Sequence, residues 1–446
     1  MNPQQLTPTA KREERFRKWK FPDGVEFARP EAKQAFERRV QMFQDAIGLR
    51  KPERIPVFAT TTFFPCAYAG VTAQEAMYDH GKLGFALHKY HADFLPDALA
   101  SAILCGPGKV FELLDYRLYR WPGHGVSPDR SYQCVEDEYM RADEYPLLIR
   151  DPSDFFLRTY LPRVFGALDP FKALGPLTDI LELPLVCPAL LPFGLPPVQE
   201  ALKKLMDAGR GALEWAEACQ RIDRATMTDL GIPGIMGGFT KAPFDILGDT
   251  LRGTRSMMLD KFRRPKEVLA AMERLVPIAI DLGLRAANQT GLPIVVLPLH
   301  KGADSFMSPQ DFRTFYWPTL KAVVLGLIAE GVVPYLFAEG SYTQRLDIVA
   351  DRDIPDGAVL WVFDQTDLRD VKKRFTGWAC FGGNVPASML VAATPEQVRT
   401  HVKRLIDDVG RDGGYILSTG AVVEDARVEN MHALIDTGRE YGASRA

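Results

Sequence analysis

The chain has 446 residues, of which 46% are hydrophobic and 25% charged, with a formal net charge of −3. That length accommodates two or three average domains or one large α/β barrel, and the composition is enough for a sizeable core. The nearly balanced, slightly acidic charge excludes the electrostatic footprint of a nucleic-acid or anionic-membrane partner.

From the N-terminus, MNPQQLTPTAKREER lacks the apolar centre of a secretory signal, and KREERFRKWK reads as a solvated arm. Residues 1–50 are therefore read as an N-terminal arm and 51–446 as the folded body. Six cysteines without a C-x-x-C pair argue against a disulfide framework or a cysteine-only zinc site. The most apolar stretch, LPLVCPALLPFGLPPV, is interrupted by prolines, and no run of 18 apolar residues occurs. A soluble cytoplasmic protein is the expectation.

RIPVFATTTFF (54–64) reads as a first strand, and Thr72 opens the helix TAQEAMYD. Residues 105–200 are rich in turns, aromatics and prolines and read as insertions without a strand assignment. GIPGIMGGF (231–239) is glycine-rich and suits a strand end, and a helix starts at Pro265. Five nearly continuous apolar runs then follow: PIVVLPLH (293–300), VVPYLFAE (332–339), AVLWVFD (358–364), WACFGGN (378–384) and GGYILSTG (413–420). Such runs are expected of parallel strands covered on both faces. Helices fit between them, opened by Ser308-Pro309-Gln310-Asp311 and Thr394-Pro395-Glu396-Gln397, with Pro318 marking a kink. The alternation predicts an α/β fold with a parallel sheet.

The late runs end in His300, Glu339, Asp364, Asn384 and Ser418-Thr419. In a barrel, the carboxyl ends of the strands face one mouth, where active sites are assembled. Glu339 suits a metal ligand or an acid/base; its alternatives are an ion pair with Arg345 or a loop acceptor. His300, near Lys301 and Asp304, suits a divalent metal or is an ordinary hydrogen-bonding histidine. Asp364 suits a metal, the orientation of His300, or a cap on LRDVKKRF. Asn384, in GGNVP, suits a hydrogen bond to substrate. Lys241 and Asp245 in TKAPFDILGDTLRG form a second polar cluster, either flanking a ligand or making a salt-bridged helix start. No P-loop, G-x-G-x-x-G, G-x-S-x-G or H-E-x-x-H motif supports phosphate cradling, serine hydrolysis or a zincin site.

The segments SPQDFRTFYWPTLK, FGGNVPASMLVAATPEQVRTHVKRLID and GGYILSTG…ENMHALIDTGREYG resemble the C-terminal half of the uroporphyrinogen decarboxylase superfamily. RIPVFATTTFFPCAYAG sits where that family has its first strand and signature loop. The resemblance implies a single (β/α)8 TIM-type barrel with insertions in its first half. It also implies one of two activities: cofactor-free decarboxylation of a porphyrinogen, or methyl transfer with corrinoid proteins, usually through zinc.

The decarboxylase loop carries arginines in a pattern like P-V-W-x-M-R-Q-A-G-R, whereas Pro56 to Gly70 here holds none, and TGAVV (419–423) replaces the GHG-type motif. Porphyrinogen carboxylates would be left without partners. Thiol-methylating members bind zinc through H-x-C and a second cysteine; those positions fall at Phe337, Glu339 and about Ala421. The resemblance thus implies metal-assisted methyl transfer between a small organic substrate, such as a methoxy-aromatic compound, and a corrinoid protein. Zn2+ would sit on Glu339, His300 and Asp364. Glu339, His300 and Asn384 would be catalytic, with Lys301, Tyr342, Arg345, Phe63 and Phe64 on the substrate. The chain has no D-x-H-x-x-G motif, so the corrinoid is expected on a separate protein. The alternative is a cofactor-independent decarboxylase or lyase of a small acidic substrate, anchored by Lys241, Arg252 or Arg345. A third reading is a non-catalytic binding barrel. Relatives of this kind often dimerise, so a homodimer is a possible assembly.

Overall fold

The apolar runs become strands that curl into one parallel sheet. The computed structural model describes residues 6–443. Its strands are β1 (Val57–Phe58), β2 (Tyr119–Pro122), β3 (Gly125–Val126), β4 (Gln133–Cys134), β5 (Gly238–Phe239), β6 (Ile294–Leu299), β7 (Val333–Ala338), β8 (Leu360–Phe363), β9 (Cys380–Val385) and β10 (Tyr415–Thr419). Seven of them pair in the order β1-β10-β9-β8-β7-β6-β5, all parallel. The remaining three make a small separate sheet inside the region the sequence left unassigned.

The eight-stranded barrel is formed in part. Between the two sheet edges, residues 97–99 run as irregular backbone, not as an eighth strand. Asp97 N–H donates to Val57 O at 2.8 Å, and Leu99 N–H donates to Pro233 O at 3.0 Å. The reason lies in Asp97, whose buried carboxylate accepts the Val57 N–H at 2.9 Å in place of a strand carbonyl. Arg54 at 2.5 Å and Arg39 at 3.4 Å neutralise it.

Alternation along the strands sorts the core into two layers. Val295, Leu297, Leu336, Trp361, Phe363, Phe381 and Leu417 face the surrounding helices. Ile294, Val296, Val333, Tyr335, Phe337, Leu360, Val362, Cys380 and Ile416 fill the interior.

Residues 6–50 are not a solvated arm; residues 1–5 of that expected arm lie outside the described residues. Helices Pro8–Lys20 and Pro30–Ile47 place Trp19, Phe36, Val40, Phe43 and Ile47 in the interior cluster. Trp19 Nε1–H donates to Gly234 O at 3.0 Å, and Arg12 Nη1 donates to Gly357 O at 2.6 Å. Both carbonyls lie just before strands begin, so this pair of helices closes the amino-terminal end of the sheet. Each fully buried large side chain contributes about 1.5–3 kcal/mol.

Candidate active site

The same alternation fixes what stands above the apolar interior. Two residues beyond Phe337 comes Glu339; two beyond Pro298 comes His300; two beyond Val362 comes Asp364; and Asn384, Ser418 and Thr60 follow on β9, β10 and β1. Six polar residues from separate segments therefore form the top layer at the carboxyl ends of the strands, the end at which barrel enzymes build their sites.

His300 and Glu339 meet there. Nε2 of His300 lies 3.7 Å from Oε1 of Glu339, and both side chains keep about a third of their surface open, 34% and 39%. The other ring nitrogen, Nδ1, lies 2.6 Å from Oδ2 of Asp249. Asp249 also binds Lys241 Nζ at 2.7 Å and Lys301 Nζ at 3.3 Å. Beneath it, fully buried Asp245 accepts the backbone N–H groups of His300 at 3.1 Å and Lys301 at 2.9 Å, and the Tyr316 hydroxyl at 2.7 Å. The backbone of His300 is thus fixed by one carboxylate and its ring by another.

The charges follow from these contacts. Burial opposes a charged imidazole, but the hydrogen bond to Asp249, the nearby Glu339 and the field of Asp249 outweigh it, raising His300 to about 10. Burial also works against the Asp249 carboxylate, yet His300 and Lys241 hold it well below the usual carboxylate range. Burial and the neighbouring Asp249 charge raise Asp245. Burial, with help from Glu339, also raises Asp364. At neutral pH the mouth presents the His300 imidazolium on the side of Glu339.

The remaining expected residues are placed as follows. Asp364 Oδ2 accepts Gly340 N–H at 3.0 Å, bracing the turn after Glu339. Asn384 Nδ2 donates to the carbonyls of Asp364 at 3.1 Å and Thr366 at 2.7 Å, so it holds the neighbouring loop. Lys301 joins the Asp249 cluster. Tyr342 is buried and donates to Leu299 O at 3.0 Å. Arg345 is fully buried, donates to the carbonyls of Gly302 and Met307, and lies over Phe312. Its nearest carboxylate is Asp304, 3.6 Å away, rather than Glu339. Phe63 is buried edge-on to Tyr132, and Phe64 packs on Tyr90 and Phe94 in the helical layer. Arg252 is buried against Asp260. Lys241, Arg252 and Arg345 are therefore all engaged within the protein.

Asp249 is the residue that the sequence reading missed. Its signal was the pair Asp245 and Asp249, two carboxylates four residues apart just after β5. Lys241 pairs with Asp249, not with Asp245.

A strap built on β2–β4 crosses the same end. Ser131 Oγ donates to Glu424 at 3.0 Å on one side, and Met140 N–H donates to Leu251 O at 2.7 Å on the other. Cys134 of the strap lies near enough to Asp249 that, after burial, that charge helps raise its thiol. Beside the mouth, a groove of about 670 Å3 is lined by Asp364, Thr366, Asn384, His401 and Arg404, among others.

The donor set does not fit zinc. Among the described residues, no three His, Cys, Asp or Glu side chains are grouped as a metal site requires. Asp364 is turned to a backbone N–H.

A curled parallel sheet with its polar layer at the carboxyl rim defines an α/β protein of the TIM-barrel kind. A family model described as uroporphyrinogen decarboxylase (URO-D) matches residues 195–441, more than half of the chain, and the chain belongs to that family. The uroporphyrinogen decarboxylase of Pseudoalteromonas translucida is 24% identical over 215 residues, 46% of this chain and 59% of the relative. That of Cellvibrio japonicus is 26% identical over 219 residues, 46% and 58%. The chain thus spans less than two thirds of the length of these curated relatives. A solved methyltransferase from Methanosarcina mazei superposes with a TM-score of 0.59 at 14% identity, covering 91% of this chain and 98% of that one, which shows a common fold.

Proposed function

We propose that the chain is an enzyme that moves a methyl group from a small organic methyl donor, such as a methoxy-aromatic compound, to a corrinoid carried by a separate protein. The observation that carries this reading is the His300 imidazolium, clamped by Asp249 and facing Glu339 at a half-open rim. The fold shared with a methyltransferase and the family relationship support it.

A carbon–oxygen bond of a methyl ether breaks readily only if the departing oxygen is protonated or otherwise neutralised. His300 supplies that proton from Nε2, which is the ring atom not occupied by Asp249. The bonding pair stays on the oxygen, and the methyl group passes to the corrinoid, which supplies the nucleophile when its carrier docks. Asp249 stabilises the cation before the transfer and keeps the ring oriented throughout. Glu339 stands beside Nε2, and the ring recovers its proton afterwards from solvent at the half-open rim. Here a proton from His300 takes the part that a zinc Lewis acid would otherwise play.

The test is a single-turnover assay of the purified chain with a reduced corrinoid protein and a panel of methoxy-aromatic compounds, following the corrinoid absorbance and the phenol released. Release of phenol in step with the absorbance change is expected. Carbon dioxide from simple acids without any corrinoid protein would instead establish the lyase reading.

A further inference from the structure

Inside the curled sheet, one side is packed and the other is open. Alternation puts Phe58 of β1, Val362 of β8, Cys380 of β9 and Ile416 of β10 on the interior face, and each is 2% exposed or less. Toward β5 and β6 the packing stops short. Pro298, directly beneath His300 on β6, is half-buried, and Phe239 of β5 is 39% exposed. Phe239 points inward. A Cβ on Gly238 would strike Ala286 of the helix Pro265–Thr290, so Gly238 faces the helices and the next residue faces the interior. Phe239 pairs in register with Val296, itself an interior residue. Lys241, two residues on, then stands at the rim and reaches Asp249.

The opening has a cause in the chain. Segment 97–99, which runs where an eighth strand would stand, sends Ala98 into the interior cluster. Its methyl group leaves free, beside β5, the volume that an aromatic ring such as Phe58 takes on β1. A phenylalanine left bare on an outer surface is ordinary. One left bare on the inner face of a barrel strand lines a cavity. The well has Phe239 and Pro298 as walls, with Val296 and Phe337, each 4% exposed, at its bottom. Lys241, His300 and Glu339 form its lip. In register, Phe239 lies four residues below His300, about 13 Å along the strand, enough for one substituted benzene ring. None of the four side chains in the well carries a charge or a hydrogen-bond donor.

From this well we infer that the substrate's ring enters the barrel beneath His300 and packs on Phe239, and that the substrate is an aromatic methyl ether with no charge at the end opposite its methoxy group. The inference rests on the methyl-ether reading, which puts the ether oxygen at Nε2 of His300 and the ring below it. Aromatic faces favour offset or edge-on contact, which the bare ring of Phe239 offers. A carboxylate at the far end would be carried down against Val296 and Phe337 with nothing to pair it, whereas a hydrogen or a methyl group gains burial. Phe239 thus takes the part expected of Phe63 and Phe64, which are both buried in other contacts.

Isothermal titration of the full chain with 4-methylanisole and with 4-methoxybenzoate tests this without a corrinoid protein. The wild type is expected to bind 4-methylanisole at least tenfold more tightly than 4-methoxybenzoate. Equal affinities, tighter binding of the acid, or no binding of 4-methylanisole at 1 mM overturns the inference, and none of these depends on the folding of a variant. Phe239→Ala is expected to weaken 4-methylanisole about tenfold, with an unchanged circular dichroism spectrum. A change smaller than threefold overturns the assignment of Phe239. A chain that binds the ring in this way yet transfers no methyl group contradicts the proposed reaction and not the well. Methyl transfer with an affinity indifferent to position 239 contradicts the well and not the reaction.

Discussion

Nε2 of His300 and Oε1 of Glu339 face each other across 3.7 Å, although they arise from strands β6 and β7 and are 39 residues apart in sequence. Neither side chain is buried in a closed pair, and the ring is charged because Asp249 holds its far side. His300→Gln keeps the size and a donor while removing the transferable proton. The expected loss is about 10²–10⁴-fold in kcat with an unchanged circular dichroism spectrum, measured by the corrinoid assay and by circular dichroism. Glu339→Gln is expected to slow repeated turnover more than the first turnover, because Glu339 lines the opening through which solvent reprotonates Nε2.

Asp249→Asn separates orientation from charge. The amide can still touch the ring, but the strongest stabiliser of the imidazolium is lost, so the His300 pKa falls from about 10 toward its ordinary value. Activity that needs the protonated ring should then decline at a pH well below that of the wild type. The check is a pH–rate profile of both proteins from pH 6 to 11.

Stability carries the same signature. The folded pKa of His300 is raised, so its contribution is fully present below the unfolded value of about 6.5 and disappears as pH rises through about 10. Asp249 is depressed, so its contribution is present above an unfolded value of about 3.9 and is lost as pH falls below it. Urea midpoints of the wild type should exceed those of His300→Gln by a margin that narrows above pH 9. A constant margin between pH 6 and 11 would contradict the coupling.

The N-terminal helices belong to the folding unit. Phe43 is 1% exposed and packs on Trp19 and Phe58, so Phe43→Ala should cost about 3–5 kcal/mol in urea unfolding. A cost below 1 kcal/mol would mean that the helices are dispensable to the barrel.

The late strands were legible because their apolar runs are nearly continuous; four of the five observed strands lie inside their runs, and β9 extends one residue past its run, to Val385. The rim residues were legible for the same reason, since alternation carries the interior face of β6–β9 up to His300, Glu339, Asp364 and Asn384. β1 and β5 are only two residues long, shorter than their apolar runs suggest. Arg345 looked like a substrate contact because a charged residue soon after a barrel strand, here seven positions past the end of β7, is often near the mouth; only the fold shows its guanidinium turned into the carbonyls of Gly302 and Met307. Asp249 was hidden because its meaning depends on a partner 51 residues away. The N-terminal helices were misread from the charge of KREERFRKWK, although Phe36, Val40, Phe43 and Ile47 recur at helical spacing and mark a buried stripe.

The central claim is that His300 carries its proton throughout the neutral range. The most direct measurement is an NMR titration of the imidazole nitrogens, assigned with His300→Gln. The account predicts that His300 stays protonated from pH 6 to 9 and titrates near 10. A midpoint between 6 and 7 would contradict it and leave the rim without its acid.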